Sequence, residues 1–200
     1  MTTEPNIGKA PSRGKYDRAM SRAERLAAQR EQIVAVARLA LRKQSPLEFT
    51  MSNVAEQTGL GRNTVYSHFA HIDELTGLVL EESWRSLVEL WDATEVDMGT
   101  PVGAAEQLSA RWFRAVDVAV DELQVVLGCD RARVASRILS EVRAFSDAGA
   151  HAGTFRRPDE LRLVALSAAV IAVLDYCVRS TDAVLGAPEL VADVLVRALR

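Results

Sequence analysis

The stretch that decides the fold is TMSNVAEQTGLGRNTVYSHF, residues 50 to 69. Thr50 can cap a first short helix, because its hydroxyl accepts a hydrogen bond from a free N–H group of the first turn. Gly59 predicts the end of that helix, since the tight turn needs a left-handed backbone that glycine adopts without steric cost. A second short helix is predicted over residues 61–68, with Val65 and Phe69 facing inward.

The outer side of the second helix is polar. It carries short or forked hydrogen-bonding side chains that have no partner nearby in the sequence, namely Arg62, Asn63, Thr64 and Ser67. In a helix-turn-helix motif the second helix enters the major groove of DNA and the first crosses the phosphate backbone. An ordinary αα-hairpin also has a turn glycine and apolar spacing. The polar outer face and the run TVYSHF are the features that favour the DNA-binding motif.

The same stretch resembles the DNA-binding segment of TetR-family transcriptional regulators. The matching positions follow the order of the family: Thr50, Val54-Ala55-Glu56, Gly59-Leu60 and Thr64-Val65-Tyr66-Ser67-His68-Phe69. The resemblance is specific over about residues 33–75 and weak after that. It implies an all-α fold, with a three-helix helix-turn-helix domain joined to a helical effector-binding and dimerisation domain. The implied function is a ligand-responsive regulator that binds a near-palindromic operator as a homodimer, most often as a repressor.

The resemblance also implies which side chains touch DNA. Base edges would be faced by Arg62, Asn63 and Thr64, phosphates would be held by Thr50, Tyr66 and His68, and Ser67 would lie on the same polar face. An arginine can grip a guanine edge with two hydrogen bonds, an asparagine suits adenine, and the methyl group of a threonine suits thymine. Contacts to phosphates fix the register without reading the sequence.

Two positions depart from the family pattern. Gly61 stands where the family often has a serine that caps the second helix and touches a phosphate, so only the backbone N–H of Gly61 remains for that contact. Ile72 stands where a lysine commonly reaches the DNA backbone from the start of the fourth helix, so that contact is expected to be absent.

Charge is divided unevenly along the chain. Residues 1–72 contain 11 Lys or Arg and 6 Asp or Glu, a net charge of +5, whereas residues 73–200 contain 13 and 21, a net charge of −8. A basic part on an acidic remainder fits a nucleic-acid module joined to a domain that does not touch phosphates. A chance division of surface charge is the alternative.

These patterns divide the chain into three parts. Residues 1–22 mix Pro and Gly with five Lys or Arg, which predicts a flexible basic arm that either follows the minor groove or is merely solvated. Residues 23–72 form the DNA-binding domain. Its first helix has an apolar stripe made of Ile33, Val36, Ala37, Ala40 and Leu41, and Ser45-Pro46 ends that helix. Residues 73–200 form the helical effector-binding and dimerisation domain.

The helix that begins at Asp73 is predicted to join the two domains. Leu75, Leu78 and Val79 can close the DNA-binding core, while Trp84 and Trp91, on later turns of the helix, face the second domain. Further helices are expected at about 102–120, 121–127, 131–148, 159–180 and 188–200, with a loop over 149–158. One continuous helix shared by both domains would couple a movement of one domain to the other.

The second domain is expected to bind a small-molecule effector between the helices at about 73–91, 102–120 and 131–148. The candidate lining residues are Trp84, Arg111, Trp112, Phe113, Cys129 and Asp175, of which Arg111 and Asp175 are the polar anchors. Plain core packing is the alternative for each of them. Ligand pockets are usually apolar with a few polar groups, which favours an apolar or aromatic effector.

The last two predicted helices have the composition of a subunit interface. The segment VALSAAVIAVLDYC, residues 164–177, is apolar nearly all the way round, so its helix has to be covered on every side. The helix at 188–200 has an apolar stripe of its own. Paired with the same helices of a second copy, the two would make a four-helix interface, and the resemblance places the family's dimer contact there as well.

Length and composition limit the class of protein. With 200 residues and 48% hydrophobic content, the chain can bury a core in one or two small domains. No apolar run reaches the roughly 18 residues of a membrane span, and the first residues lack a secretory signal, so we expect a cytoplasmic protein with no membrane partner. Cys129 and Cys177 are expected to be reduced core residues.

Catalysis finds little support in the sequence. No Asp, Glu or Cys cluster completes a metal site around His68, His71 or His151. There is no glycine-rich phosphate loop, no Gly-x-Ser-x-Gly elbow and no nucleophile beside an obvious base. We therefore expect no catalytic residue, metal or cofactor. A small helical enzyme and a helical adaptor that binds protein through the hairpin are the alternatives to a DNA-binding regulator.

Overall fold

A computed structural model describes residues 20–43, 49–180 and 186–200. These residues form nine helices and no strand: α1 (Arg22–Lys43), α2 (Met51–Thr58), α3 (Arg62–His68), α4 (Ile72–Asp92), α5 (Pro101–Val118), α6 (Val120–Cys129), α7 (Arg131–His151), α8 (Glu160–Arg179) and α9 (Ala187–Leu199). The predicted all-α fold is confirmed. The predicted arm up to residue 19 and the predicted helix stop at Ser45-Pro46 lie outside the described residues.

Helices α1 to α3 pack around a small apolar core, called here the head cluster. Its buried residues are Ile33, Val34, Ala37, Ala40, Leu41, Phe49, Met51, Val54, Ala55, Val65, Phe69, Leu75, Val79 and Val125. The predicted apolar stripe of α1 is confirmed at Ile33, Ala37, Ala40 and Leu41. Val36 is only half-buried, and Val34 is buried in its stead. This core holds α2 and α3 against the side of α1.

A second and larger apolar core, called here the body cluster, is built from α4 to α9. Leu87 and Trp91 of α4 belong to it, whereas Leu75 and Val79 of the same helix belong to the head cluster. Helix α4 therefore extends through both cores, as predicted. Val125 shows that α6 does so too, which the sequence pattern did not reveal.

Helix α7 continues past its predicted end. Gly149, expected to open a loop, is helical and buried, and α7 ends at His151. The chain then turns back, so that Phe155 packs over Gly149 and meets Phe145 with ring centroids 5.2 Å apart. The prediction of a loop was wrong for residues 149–151, because contact with Phe155 favours a glycine inside a helix at this position.

Helices α8 and α9 complete the chain, and each has an apolar side that the fold leaves exposed. On α8, Leu161 is 78% exposed and Tyr176 is 64% exposed, and on α9 Leu190 is 59% exposed. By length and composition α8 is apolar enough to cross a membrane, yet 44% of its most apolar 18-residue stretch is buried inside the fold. Gly186, with φ of 83°, precedes α9, and Pro188 lies in the first turn of α9 as predicted.

Candidate nucleic-acid interface and effector region

The corner between α2 and α3 has the predicted geometry. The Thr50 hydroxyl accepts a hydrogen bond from the Asn53 N–H at 3.3 Å and caps α2. Gly59 has φ of 68°, in the left-handed region, and its N–H donates to the Glu56 carbonyl at 3.2 Å. The Thr58 hydroxyl donates to the Val54 carbonyl at 2.8 Å. The Thr50 and Gly59 contacts satisfy an N–H at the start of α2 and a carbonyl at its end that the helix itself would leave without partners.

Helix α3 is short and its outward face is open to solvent. Arg62, Asn63 and Ser67 are exposed, and Tyr66 is 51% exposed. The Ser67 hydroxyl, for which the sequence showed no partner, donates to the Thr64 carbonyl of its own helix at 2.7 Å. Its hydrogen atom is therefore already engaged, which leaves the oxygen as an acceptor. The arrangement presents a guanidinium, an amide and a phenol side by side on a surface that faces away from the head cluster.

The two departures from the family pattern have visible consequences. Gly61 lies at the N-cap of α3 and no side chain caps that helix. Ile72 is half-buried and packs its side chain against the head cluster. That no contact to the DNA backbone is made from this position stays a prediction.

Three residues of α1 contact the helix-turn-helix and were not predicted. Gln29 lies beside the ring of His68, Gln32 donates to the Thr58 carbonyl at 2.8 Å, and the Arg30 guanidinium lies 5.1 Å from the centre of the Phe69 ring. The predicted phosphate contact His68 is consequently half-buried and already engaged on one side. Sequence periodicity carries no signal for such pairs, since their partners lie 26 or more residues away.

The predicted effector residues have different surroundings in the structure. Trp112 and Phe113 are 0% and 1% exposed and form part of the body cluster. Arg111 forms an ion pair with Glu141 at 2.7 Å, and the Trp112 indole N–H donates to the same carboxylate. Arg137 approaches the other oxygen of Glu141 at 2.5 Å. Glu141 is therefore the centre of a partly buried polar group that the sequence pattern did not reveal.

Hydrogen bonding around Glu141 extends to the end of α4. Arg137 also pairs with Asp92 at 2.5 Å, and Arg111 donates to the Thr94 carbonyl at 3.4 Å. Burial acts to lower the pKa of Arg137, but its hydrogen bonds to Glu141 and Asp92 outweigh that effect and raise the pKa. Two buried donors nearby, Nε of Arg111 and Nε1 of Trp91, have no hydrogen bond among the described residues.

The remaining predicted effector residues have other partners. Trp84 is half-buried and packs edge-to-face against Trp91, with ring centroids 6.1 Å apart. The Arg133 guanidinium lies over the Trp84 ring, 5.1 Å from its centre. Asp175 pairs with Arg131 and Arg179, each at 3.0 Å; burial acts to raise its pKa, but these arginines lower it overall.

Cys129 packs against the head cluster, and burial, with a smaller effect of Asp130, raises the pKa of its thiol. Among the six predicted residues, only Arg111 and Trp112 share a partner.

Cavities are found at other places along the described chain. One of about 740 Å³ lies between α5 and α9, and its lining includes Val102, Glu106, Ala192 and Arg197. Two more, of about 430 and 110 Å³, lie between α8 and α9. The six predicted residues line none of these three. Within the described residues, no group of three His, Cys, Asp or Glu side chains is placed to hold a metal ion.

Comparison with known proteins identifies the fold. No protein-family model and no curated protein matches the sequence. A regulatory protein of the TetR family from Rhodococcus RHA1 matches with a TM-score of 0.63 at 15% identity, over 86% of this chain and 96% of that one. The fatty acid degradation regulator FadR from Bacillus halodurans gives 0.60 at 17% identity, over 86% and 96%. The TetR-family transcriptional regulator PfmR from Thermus thermophilus gives 0.55 at 19% identity, over 91% and 99%. The chain therefore has the fold of TetR-family transcriptional regulators.

Proposed function

We propose that this chain, with the fold of a TetR-family regulator, is a ligand-responsive transcriptional repressor in the cytoplasm. It binds a near-palindromic operator as a homodimer through α3. The observation that carries the proposal is the exposed polar face of α3, anchored from behind by the fully buried Val65 and set at a left-handed glycine corner. A surface of this kind has the size and the hydrogen-bonding groups to enter a major groove.

Within that proposal each polar group of the motif has a distinct task. Arg62, Asn63 and Thr64 face the base edges, and each well-formed pairing contributes about 1–3 kcal/mol of discrimination between bases. The groups that bind phosphates are the Thr50 and Tyr66 hydroxyls, the free side of the His68 ring and the Gly61 backbone N–H. These contacts set the register of the protein on the duplex and do not distinguish one base from another.

The homodimer is supported by the exposed apolar side of α8 and α9. Besides Leu161, Tyr176 and Leu190, this side includes the small exposed residues Ala165, Ala168, Ala169 and Ala172, and Val194, which is 41% exposed. Contiguous apolar surface on a soluble protein marks an interaction site, and small residues permit close approach of helices. A two-fold pairing through these helices would present two copies of α3 to two half-sites.

The effector is proposed to be an apolar or aromatic small molecule that binds in the body. The two buried donors without partners, on Trp91 and Arg111, support a ligand that carries a hydrogen-bond acceptor, since buried polar groups are normally paired. Its binding would favour one arrangement of the dimer and so shift the population toward or away from the DNA-bound form. Helices α4 and α6 connect the two clusters, and Arg42 of α1 pairs with Asp121 of α6 at 2.5 Å.

The decisive experiment is selection of bound sequences from random double-stranded DNA by the purified protein. We expect an inverted repeat, bound with an affinity that falls steeply as salt rises, because phosphate contacts release counterions. Arg62→Ala should relax base preference at one position of each half-site, whereas Tyr66→Phe should weaken binding to all sequences alike. Arg114→Ala, at an exposed position of α5, is the matched control for the loss of an arginine.

Two outcomes contradict this proposal. Selection that yields no preferred sequence, with binding insensitive to salt, would point to a helical adaptor that binds protein. A uniform loss of affinity in Arg62→Ala, without any change in base preference, would remove its assigned role in reading bases.

The predicted class of effector is tested by a thermal-shift screen with benzoate, salicylate and decanoate. A rise in melting temperature that persists unchanged in Arg111→Met would exclude Arg111 as the polar anchor.

A further inference from the structure

Helix α3 has few buried side chains to hold it against the head cluster. The helix has seven residues, and Val65 is its only buried side chain, with Phe69 following at its C-cap. A helix that presents a full apolar stripe is fixed in both rotation and tilt by packing. A single buried residue fixes the place of the helix but leaves its tilt and its rotation poorly defined. Contacts outside the head cluster therefore have room to contribute to the orientation of the polar face.

Gln32 of α1 contacts the end of α2, at the turn that precedes α3. Its amide nitrogen donates to the carbonyl of Thr58, the last residue of α2, at 2.8 Å. The last four carbonyls of a helix have no partner within the helix, so this bond satisfies a group that would otherwise need water. It ties the end of α2, and the start of the turn at Gly59, directly to α1.

Gln29 lies one turn earlier on α1 and reaches the far end of α3. Its amide oxygen is 3.3 Å from Nε2 of His68, the last residue of α3. Residues three apart lie on the same side of a helix, so Gln29 and Gln32 face the motif together. Between them in sequence, Arg30 places its guanidinium over the Phe69 ring. One turn of α1 thus contacts the polypeptide just before α3 and again at its end.

We infer that Gln29 and Gln32 are positioning residues of the DNA interface, forming an α1 clamp that sets the orientation of α3. The inference rests on the proposed function, in which the face of α3 enters the groove. Hydrogen bonds to bases and phosphates weaken steeply when their angles deviate. A loosely held α3 would therefore form each of its contacts to DNA less often.

The first test measures the clamp without DNA. In Gln29→Met and in Gln32→Met the hydrogen bond is lost while side-chain length is kept. We expect the amides of residues 61–69 in the full-length protein to exchange with deuterium about 3 to 10 times faster, the range that one hydrogen bond supports. Exchange in α5 to α9 should stay unchanged. Gln107→Met is the matched control, because its amide oxygen accepts one bond, from the Asp97 N–H at 2.8 Å, in the other part of the molecule.

Conservative variants separate positioning from general damage. Gln29→Glu keeps an oxygen opposite His68, and Gln32→Lys keeps a nitrogen donor for the Thr58 carbonyl. Both should retain the slow exchange of α3 that the methionine variants lose. If a methionine variant does not fold, as judged by circular dichroism, Gln32→Ala and Gln29→Ala provide the same loss with no larger side chain.

The second test measures binding to the selected operator. Each methionine variant should lose about 3- to 10-fold in affinity, the equivalent of one hydrogen bond, with base preference retained and the exchange of α3 raised in parallel. Unchanged exchange of α3 in both methionine variants would overturn the clamp, whatever the DNA result. Reduced affinity with unchanged exchange would mean that the glutamines contact DNA directly. If the wild type selects no DNA, the proposed function fails, while the exchange measurement still decides whether the clamp exists.

Discussion

The head cluster and the body cluster are held together in different ways. The head cluster is small, and α3 at its edge is placed by a cap, a glycine corner, one buried valine and polar contacts from α1. The body cluster contains Trp91, Trp112, Phe113 and Phe145, all fully buried. Large apolar side chains provide most of the stabilisation of a core. Substitutions in the body cluster should therefore lower stability, whereas substitutions on the exposed face of α3 should chiefly change binding.

The exposed surfaces of the two regions also differ in chemistry. In the head, α3 leaves polar groups outward, which suits a partner that offers phosphates and base edges. In the body, α8 and α9 leave Leu161, Leu190 and Val194 outward, which suits another apolar surface. An exposed polar face and an exposed apolar face on one chain therefore predict two partners of different chemistry.

The largest effect is expected from Phe113→Ala in the body. Removal of a fully buried phenylalanine leaves a cavity and should lower the free energy of unfolding by about 3–5 kcal/mol, measured by urea denaturation. Val118→Ala, at a side chain that is 63% exposed, should change it by less than about 0.5 kcal/mol. A small effect of Phe113→Ala would show that Phe113 lines an open space instead of packing in the core.

A charge on the exposed side of α8 tests the partner expected for the body. Ala169→Glu should raise the dissociation constant of the dimer about 100-fold, since a buried unpaired charge is strongly unfavourable, as measured by sedimentation. Ala144→Glu, at an exposed position of α7, is the matched control and should leave the dimer intact. Dimers that survive Ala169→Glu would show that the subunits meet elsewhere.

Gly149→Ala tests the close approach inside the body. A Cβ there would lie 2.0 Å from Cδ2 of Phe155, so the ring has to move. We expect a loss of about 1–3 kcal/mol in unfolding free energy, the usual range for overpacking. The same change at Gly128 of α6 would meet nothing within 4 Å, and should stabilise by about 0.4–1 kcal/mol. Equal effects at the two glycines would contradict the packing of Phe155.

Among the substitutions expected to destabilise the protein, the smallest loss of stability is expected at the glycine corner between α2 and α3. Gly59→Ala also meets nothing within 4 Å, but its φ of 68° is unfavourable for a residue with a Cβ. The loss should be about 1–2 kcal/mol, from the backbone alone. Gly77→Ala in α4, which is unobstructed and has no positive φ, is the control. A gain in stability at Gly59 would show that the turn adopts another conformation.

Much of the head could be read from local chemistry. The cap at Thr50, the corner at Gly59 and the inward Val65 all depend on neighbours within a few residues, and each appears in the structure as expected. The shared role of α4 follows from its apolar spacing and is also confirmed. The use of this face to bind DNA stays a prediction.

The body was predicted in outline only. Its helices were found from periodicity, but Trp112 and Arg111 meet at Glu141 of α7, a residue that no pattern distinguished. Gly149 looked like a helix end because glycine usually is one, and only its contact with Phe155 explains it. The place of Val125 in the head cluster likewise depends on how α6 crosses α1 and α4.

Caps, the glycine corner, the polar side of α3 and most helix boundaries are consequences of the order of the residues, because they arise from interactions over one or two turns. The pairing of Gln29 with His68, of Gln32 with Thr58 and of Arg111 with Glu141 joins residues 26 to 39 positions apart. Such contacts form only when helices have packed, and packing is set by the fit of whole apolar surfaces. Local chemistry therefore defines which groups are available for binding, and long-range packing defines where they point.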